Sequence, residues 1–108
     1  MNHHLKLRNW IDIDNIYLMY LSYNPNAVDL LEQNLNDIDW ADRIDWMYIS
    51  YNPNAIHLLE QNFDKIDWSA LSNNPNAIHL LEKNIDKIEW YNLSKNPAIF
   101  EYDYKSMT

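Results

Sequence analysis

The chain repeats itself with a period of 22 residues, marked by Pro53, Pro75 and Pro97, and an internal period constrains the fold before anything else does. Residues 46–67 read WMYISYNPNAIHLLEQNFDKID, and residues 68–89 read WSALSNNPNAIHLLEKNIDKIE, with no gap between them. Residues 18–39, LMYLSYNPNAVDLLEQNLNDID, are the same unit with Leu18 in the Trp position. Residues 90–108 open a fourth, degenerate unit, WYNLSKNPAIFEYDY over 90–104, which loses one residue after Pro97 and drifts. Residues 40–45 break the register between the first two units. The segment WADRIDW there looks like a local duplication of the IDW step. Residues 1–17 read as an N-terminal cap, with Asn9–Tyr17 a degenerate half unit. A single repeat domain over 1–108 is the expected organisation.

The unit carries helix signals. Asn52-Pro53 reads as a helix start, with Asn capping the free N–H groups and Pro at the first helical position. Ala55, Ile56, Leu58, Leu59 and Phe63 then fall on one side at helical spacing, with His57, Glu60 and Gln61 opposite. Asn62 sits where the helix should stop. Glycine is absent from the chain, so Asn62 is the expected left-handed C-terminal residue. Asp67 is a good cap for a second, shorter helix, with Ile66 stapled on Leu71. Trp68 and Leu71 share one face at i, i+3, and Ser72-Asn73-Asn74 ends the helix. Glu89 replaces the Asp in the last unit and is a weaker cap. Each unit is thus expected to be a helix of roughly ten residues, a corner, and a helix of about six. The fold class is all-α, a short α-solenoid of stacked two-helix repeats. The competing leucine-rich repeat needs L-x-x-L-x-L-x-x-N with a strand; Leu58-Leu59 behind Asn-Pro has helical spacing instead. Leu5, Leu7, Trp10 and Ile11 at one end, and Phe100, Tyr102 and Tyr104 at the other, are the expected end caps.

Composition excludes several functions. The formal net charge is −8, and the eight cationic residues are scattered, so nucleic-acid binding is not expected. The absence of glycine excludes a phosphate loop and a dinucleotide fingerprint, so no such cofactor is expected. There is no Cys, hence no disulfide and no need for an oxidising compartment. No run of eighteen apolar residues occurs, so no membrane span is expected. Residues 1–8 lack the apolar stretch of a signal peptide. The expectation is an intracellular protein, not a secreted one.

The units NPNAVDLLEQN (24–34), NPNAIHLLEQN (52–62) and NPNAIHLLEKN (74–84), the leader LRNWIDID (7–14) and the ending NPAIFEYDY (96–104) resemble short repeats of uncharacterised proteins from giant DNA viruses. The resemblance spans nearly the whole chain. It implies a viral repeat protein in the host cytoplasm or the virion, and it supplies no catalytic residue. The insertion at 40–45 and Leu18 in the Trp slot depart from the pattern and question regular stacking of the first two units.

His57 and His79 occupy equivalent positions, each with a Glu three residues on (Glu60, Glu82), a spacing that can serve a metal. They lie on the solvent side, Asp29 replaces them in the first unit, and no metal site is expected. His3-His4 carries no reading. Asp64, Asp67, Asp86 and Glu89 fit helix starts better than a carboxylate pair across a cleft. Ser50, Ser72 and Ser94 recur with the period and read as structural hydrogen-bonding parts, because a nucleophile needs an adjacent base. No catalytic residue is expected.

Positions that vary between units are more informative. Two residues after the Trp slot and the residue before Asn-Pro carry Met and Tyr in the first two units. Tyr20, Tyr23, Met47, Tyr48 and Tyr51, with Tyr91 in the fourth unit, are the candidate partner-binding residues, since Tyr is enriched where proteins bind. Either they line one continuous face or they cover core edges and the insertion; their solvent accessibility separates the two. The expected function is a non-enzymatic protein-binding module with a protein partner. The alternative is a structural or virion component that self-associates or packs on other particle proteins. Self-association needs open ends, and the drift of the fourth unit argues against them.

Overall fold

The computed structural model describes residues 5–107, and His3-His4 lies outside them. All regular structure among the described residues is helical. Eight short α-helices run in order: α1 (Leu18–Leu21), α2 (Val28–Gln33), α3 (Ile38–Ala41), α4 (Trp46–Tyr51), α5 (Ile56–Gln61), α6 (Trp68–Ser72), α7 (Ile78–Glu82) and α8 (Trp90–Leu93). Short 3-10 turns such as Phe63–Lys65 and Ile85–Lys87 form the corners. The molecule measures 54 × 32 × 22 Å with a radius of gyration of 16.1 Å, against about 13 Å for a compact domain of this length. It is elongated because each unit packs mainly on the next: α4 on α6, and α6 on α8.

Helices of four to six residues cannot hold themselves together in water. Burial holds them. Leu31, Ile49, Leu58, Leu59 and Leu71 are fully buried, and they form one core with Leu18, Leu21, Leu80 and Leu81. The short helices starting at 46, 68 and 90 are capped as expected. Asp45 accepts from the Tyr48 N–H, and Asp67 from the Ala70 N–H at 3.0 Å. Glu89 accepts from two, those of Tyr91 and Asn92, both at 3.1 Å, so the longer carboxylate caps as well. Asp67→Ala should therefore cost about 1 kcal/mol, seen as a lowered urea midpoint at constant slope; an unchanged midpoint would show that the cap is dispensable.

The Asn-Pro reading needs correction. Asn52 is not a helix cap: α5 begins at Ile56, and the residue flanking it is Ala55. The Asn52 Oδ1 accepts from the Asn54 N–H at 3.0 Å, and the Asn52 carbonyl from the Ala55 N–H at 3.1 Å, so Asn52–Ala55 is a turn. The Asn52 Nδ2 points into the preceding unit and donates to the Ser22 and Asn24 carbonyls, both at 3.0 Å. Asn74 does the same to Ser50 and Asn52, and Asn96 to Ser72 and Asn74. These asparagines are 0 %, 0 % and 1 % exposed; each spends both Nδ2 hydrogens on the preceding unit and keeps its Oδ1 for the turn of its own unit. The first helix of each unit is consequently about one turn shorter than expected.

Asn62 also differs from expectation. No non-glycine residue among those described has a positive φ. The Asn62 side chain ends α5 by donating to the Leu58 carbonyl at 2.9 Å, as Asn34 does to Leu30 and Asn84 to Leu80. Phe63 is exposed rather than in the core; it lies in the corner, edge-on to Trp68 with ring centroids 5.3 Å apart. The serines are structural. Ser50 Oγ donates to the Trp46 carbonyl and accepts the Asp67 N–H of the next unit.

The insertion contributes Trp40 and Ala41 to the end of α3, which Asp37 caps, and residues 42–45 lead on to α4, with Ile44 buried and Trp40 half-buried. The bonds from Asn52 to Ser22 and Asn24 match those one junction later, so the extra residues are absorbed without breaking the register. The end caps are only partly realised. Leu7 and Ile11 are half-buried, but Leu5 and Trp10 are exposed. Phe100, Tyr102 and Tyr104 are also largely exposed and do not cover the far end.

Candidate interaction surface

Core demand decides where the tyrosines point. In α1, Leu18 and Leu21 turn inward at i, i+3, which leaves Met19 and Tyr20 outside. In α4, Ile49 and Ser50 are buried, so Met47, Tyr48 and Tyr51 sit at or near the surface. The rings then meet across the two units. Tyr20 lies 6.2 Å from Tyr48, Tyr48 lies 6.1 Å from Tyr23, and Tyr23 meets Tyr51 edge-on at 6.3 Å. Such pairs are each worth about 0.5–1.5 kcal/mol beyond their burial.

The row begins one residue earlier than the sequence suggested. Tyr17 stacks on Tyr20 at 6.2 Å and is 72 % exposed. It occupies the slot that Asp45, Asp67 and Glu89 use for capping, but makes no cap hydrogen bond. A non-capping aromatic in a capping slot, three residues before Tyr20, was the available signal. Tyr20 and Tyr23 are 61 % and 53 % exposed; Tyr48, between them, and Tyr51, at the end of the row, are half-buried. The third unit ends the row, because Ala70 and Asn73 stand where Tyr48 and Tyr51 would be. Tyr91 is not part of it. It is exposed in α8, with the Lys95 Nζ 4.2 Å from its ring centroid.

The other sequence candidates separate. His57 Nε2 lies 2.9 Å from Glu32 Oε2 of the preceding unit, whereas His79 Nδ1 lies 3.3 Å from its own Glu82 Oε1. The two histidines thus face different carboxylates, and no group of three ligand-type side chains converges among the described residues. Both pairs are exposed and contribute little to stability. Asp64 and Asp86 fall in the first turns of the 3-10 corners, and Asp67 and Glu89 are caps. No helix among the described residues is long and apolar enough to cross a membrane. Comparison with protein-family models, with curated proteins and with solved structures finds no match for the chain.

Proposed function

We propose that the chain is a non-enzymatic protein-binding module of viral origin, a short α-solenoid of two-helix repeats that offers its tyrosine row to a protein partner in the host cytoplasm or the virion. The observation that carries this reading is the row itself. Four tyrosines from two units, joined by Tyr17 of the leader, stand in ring contact at a surface where the core needs none of them. Tyrosine supplies contact area and a hydroxyl at low entropic cost, as interface centres require. The charge of −8 favours a neutral or basic segment as the partner and disfavours phosphate-rich ones. Tyr91, beside Lys95, is a second and separate contact point on this reading.

The test is affinity capture from infected-cell extract, comparing wild type with the Tyr20→Ala/Tyr48→Ala/Tyr51→Ala variant. The variant should keep its circular dichroism and lose captured partner by about tenfold or more, as expected for hot-spot residues. Equal capture by a folded variant would sink the reading.

A further inference from the structure

We propose that the two ends of this chain are the complementary halves of one more inter-unit junction, so that a second copy docks head to tail, its first unit on the fourth unit of this one. The docking end borders the tyrosine row, since Tyr17 and Tyr20 line part of it, but Asn24→Asp leaves every tyrosine in place, so the two readings fail separately.

The junction between the second and third units has four hydrogen bonds. The Asp67 N–H donates to Ser50 Oγ at 3.0 Å. The Asn74 Nδ2 donates to the Ser50 and Asn52 carbonyls, both at 3.0 Å. The Asn76 Nδ2 donates to the Pro53 carbonyl at 2.7 Å. The first junction repeats all four, through the Asp45 N–H, Asn52 and Asn54. The third repeats three of them, through the Glu89 N–H and Asn96. All four donor positions recur, unused, at the chain's start: the Tyr17 N–H, both hydrogens of the Asn24 Nδ2, and the Asn26 Nδ2 have no partner among the described residues. The matching acceptors are open at the other end: Ser94 Oγ, which only donates to the Trp90 carbonyl, and the Ser94, Asn96 and Pro97 carbonyls. The Asn96 carbonyl also takes the Ile99 N–H, as the Asn52 carbonyl takes that of Ala55, so one lone pair remains.

Burial agrees with an interrupted junction. Ser22, Ser50 and Ser72 are fully buried and Ser94 is exposed; Asn52, Asn74 and Asn96 are buried and Asn24 is exposed. Trp90 is 59 % exposed where Trp68 is half-buried, and Leu93 is half-buried where Leu71 is fully buried. At the starting end, Asn15, Ile16, Tyr17, Tyr20, Leu21 and Asn24 line an open, largely apolar depression that Leu93 of the preceding copy would enter. The drift of the fourth unit does not prevent docking, because every acceptor precedes or is Pro97, and the exposed Phe100–Tyr104 tail leaves this end uncovered. The occupant is a copy of this chain because its first unit carries these donors in the spacing that the internal junctions use. A head-to-tail dimer keeps one open donor end and one open acceptor end, so assembly continues past the dimer, into a ring where the rotation closes and a filament where it does not. Each copy carries −8, so repulsion opposes assembly until salt screens it.

The experiment is sedimentation of the full chain up to about 1 mM in low salt and in about 1 M NaCl, where the Debye length is about 3 Å. Asn24→Asp is the key variant: it keeps the Oδ1 that accepts the Asn26 N–H at 3.0 Å, removes the donor, and sets a charge against two carbonyls. Wild type should assemble beyond the dimer in high salt. Asn24→Asp, with an unchanged melting temperature, should associate at least about tenfold more weakly. Its end at Ser94 stays intact, so adding it to wild type should shorten the assemblies. A wild type that stays monomeric, stops at a closed dimer, or assembles no better than Asn24→Asp would overturn the proposal.

Discussion

Asn74→Ala should lower the unfolding free energy by about 3–5 kcal/mol, a large part of the 5–15 kcal/mol a domain usually has. The side chain is fully buried and makes three hydrogen bonds. Its Nδ2 donates to the Ser50 and Asn52 carbonyls, and its Oδ1 accepts the Asn76 N–H. Alanine would strand the Ser50 carbonyl, leave the Asn52 carbonyl with only the Ala55 N–H, and free the Asn76 N–H of the turn; a stranded buried group costs about 1–3 kcal/mol, and the emptied side-chain volume between two units adds to it. The repeat provides an internal control. Asn24 occupies the same position in the first unit, is exposed, and makes only the local bond to the Asn26 N–H. Asn24→Ala, measured in dilute protein, should cost less than about 1 kcal/mol. Urea unfolding of both variants decides the matter: equal losses would mean that the buried amide ladder does not hold the units together.

Leu71→Ala should cost about 3–5 kcal/mol. Leu71 is fully buried in α6, which packs on both α4 and α8, so the cavity would open between three units at once. Short helices cannot move inward to fill it without breaking the asparagine bonds on either side. The matched comparison is Phe63→Ala. Phenylalanine is the larger side chain, but here it is exposed and its one ring contact is with Trp68, so its loss should cost about 1 kcal/mol. A larger effect from Phe63 than from Leu71 would reverse the assignment of core and corner.

Much of the unit was legible before the coordinates. Helical spacing placed Ala55, Leu58, Leu59 and Leu71 inside, where they are. Asp67 as a cap and the serines as structural parts were read correctly because their partners are close: three residues on for Asp67, and four back for the Ser72 hydroxyl. The row Tyr20, Tyr23, Tyr48 and Tyr51 was found because its positions vary between otherwise similar units. Tyr17 was missed because it belongs to a segment that reads as a degenerate leader. The error at Asn52 has a different origin. By local rules an Asn before Pro is a cap, and nothing nearby reveals that its amide is used 28 and 30 residues away.

The sequence by itself therefore determined the period, the helical class and the inward faces, because each depends on spacings within one or two turns of chain. Tertiary structure alone decided what the repeated asparagines do, where each helix begins, and which groups are left open at the two ends. Those depend on one unit meeting the next, and a buried amide takes whichever partner saves its donors from being stranded. The local cap lost to two carbonyls of the neighbouring unit, and so the Asn-Pro step became a joint between repeats instead of the start of a helix.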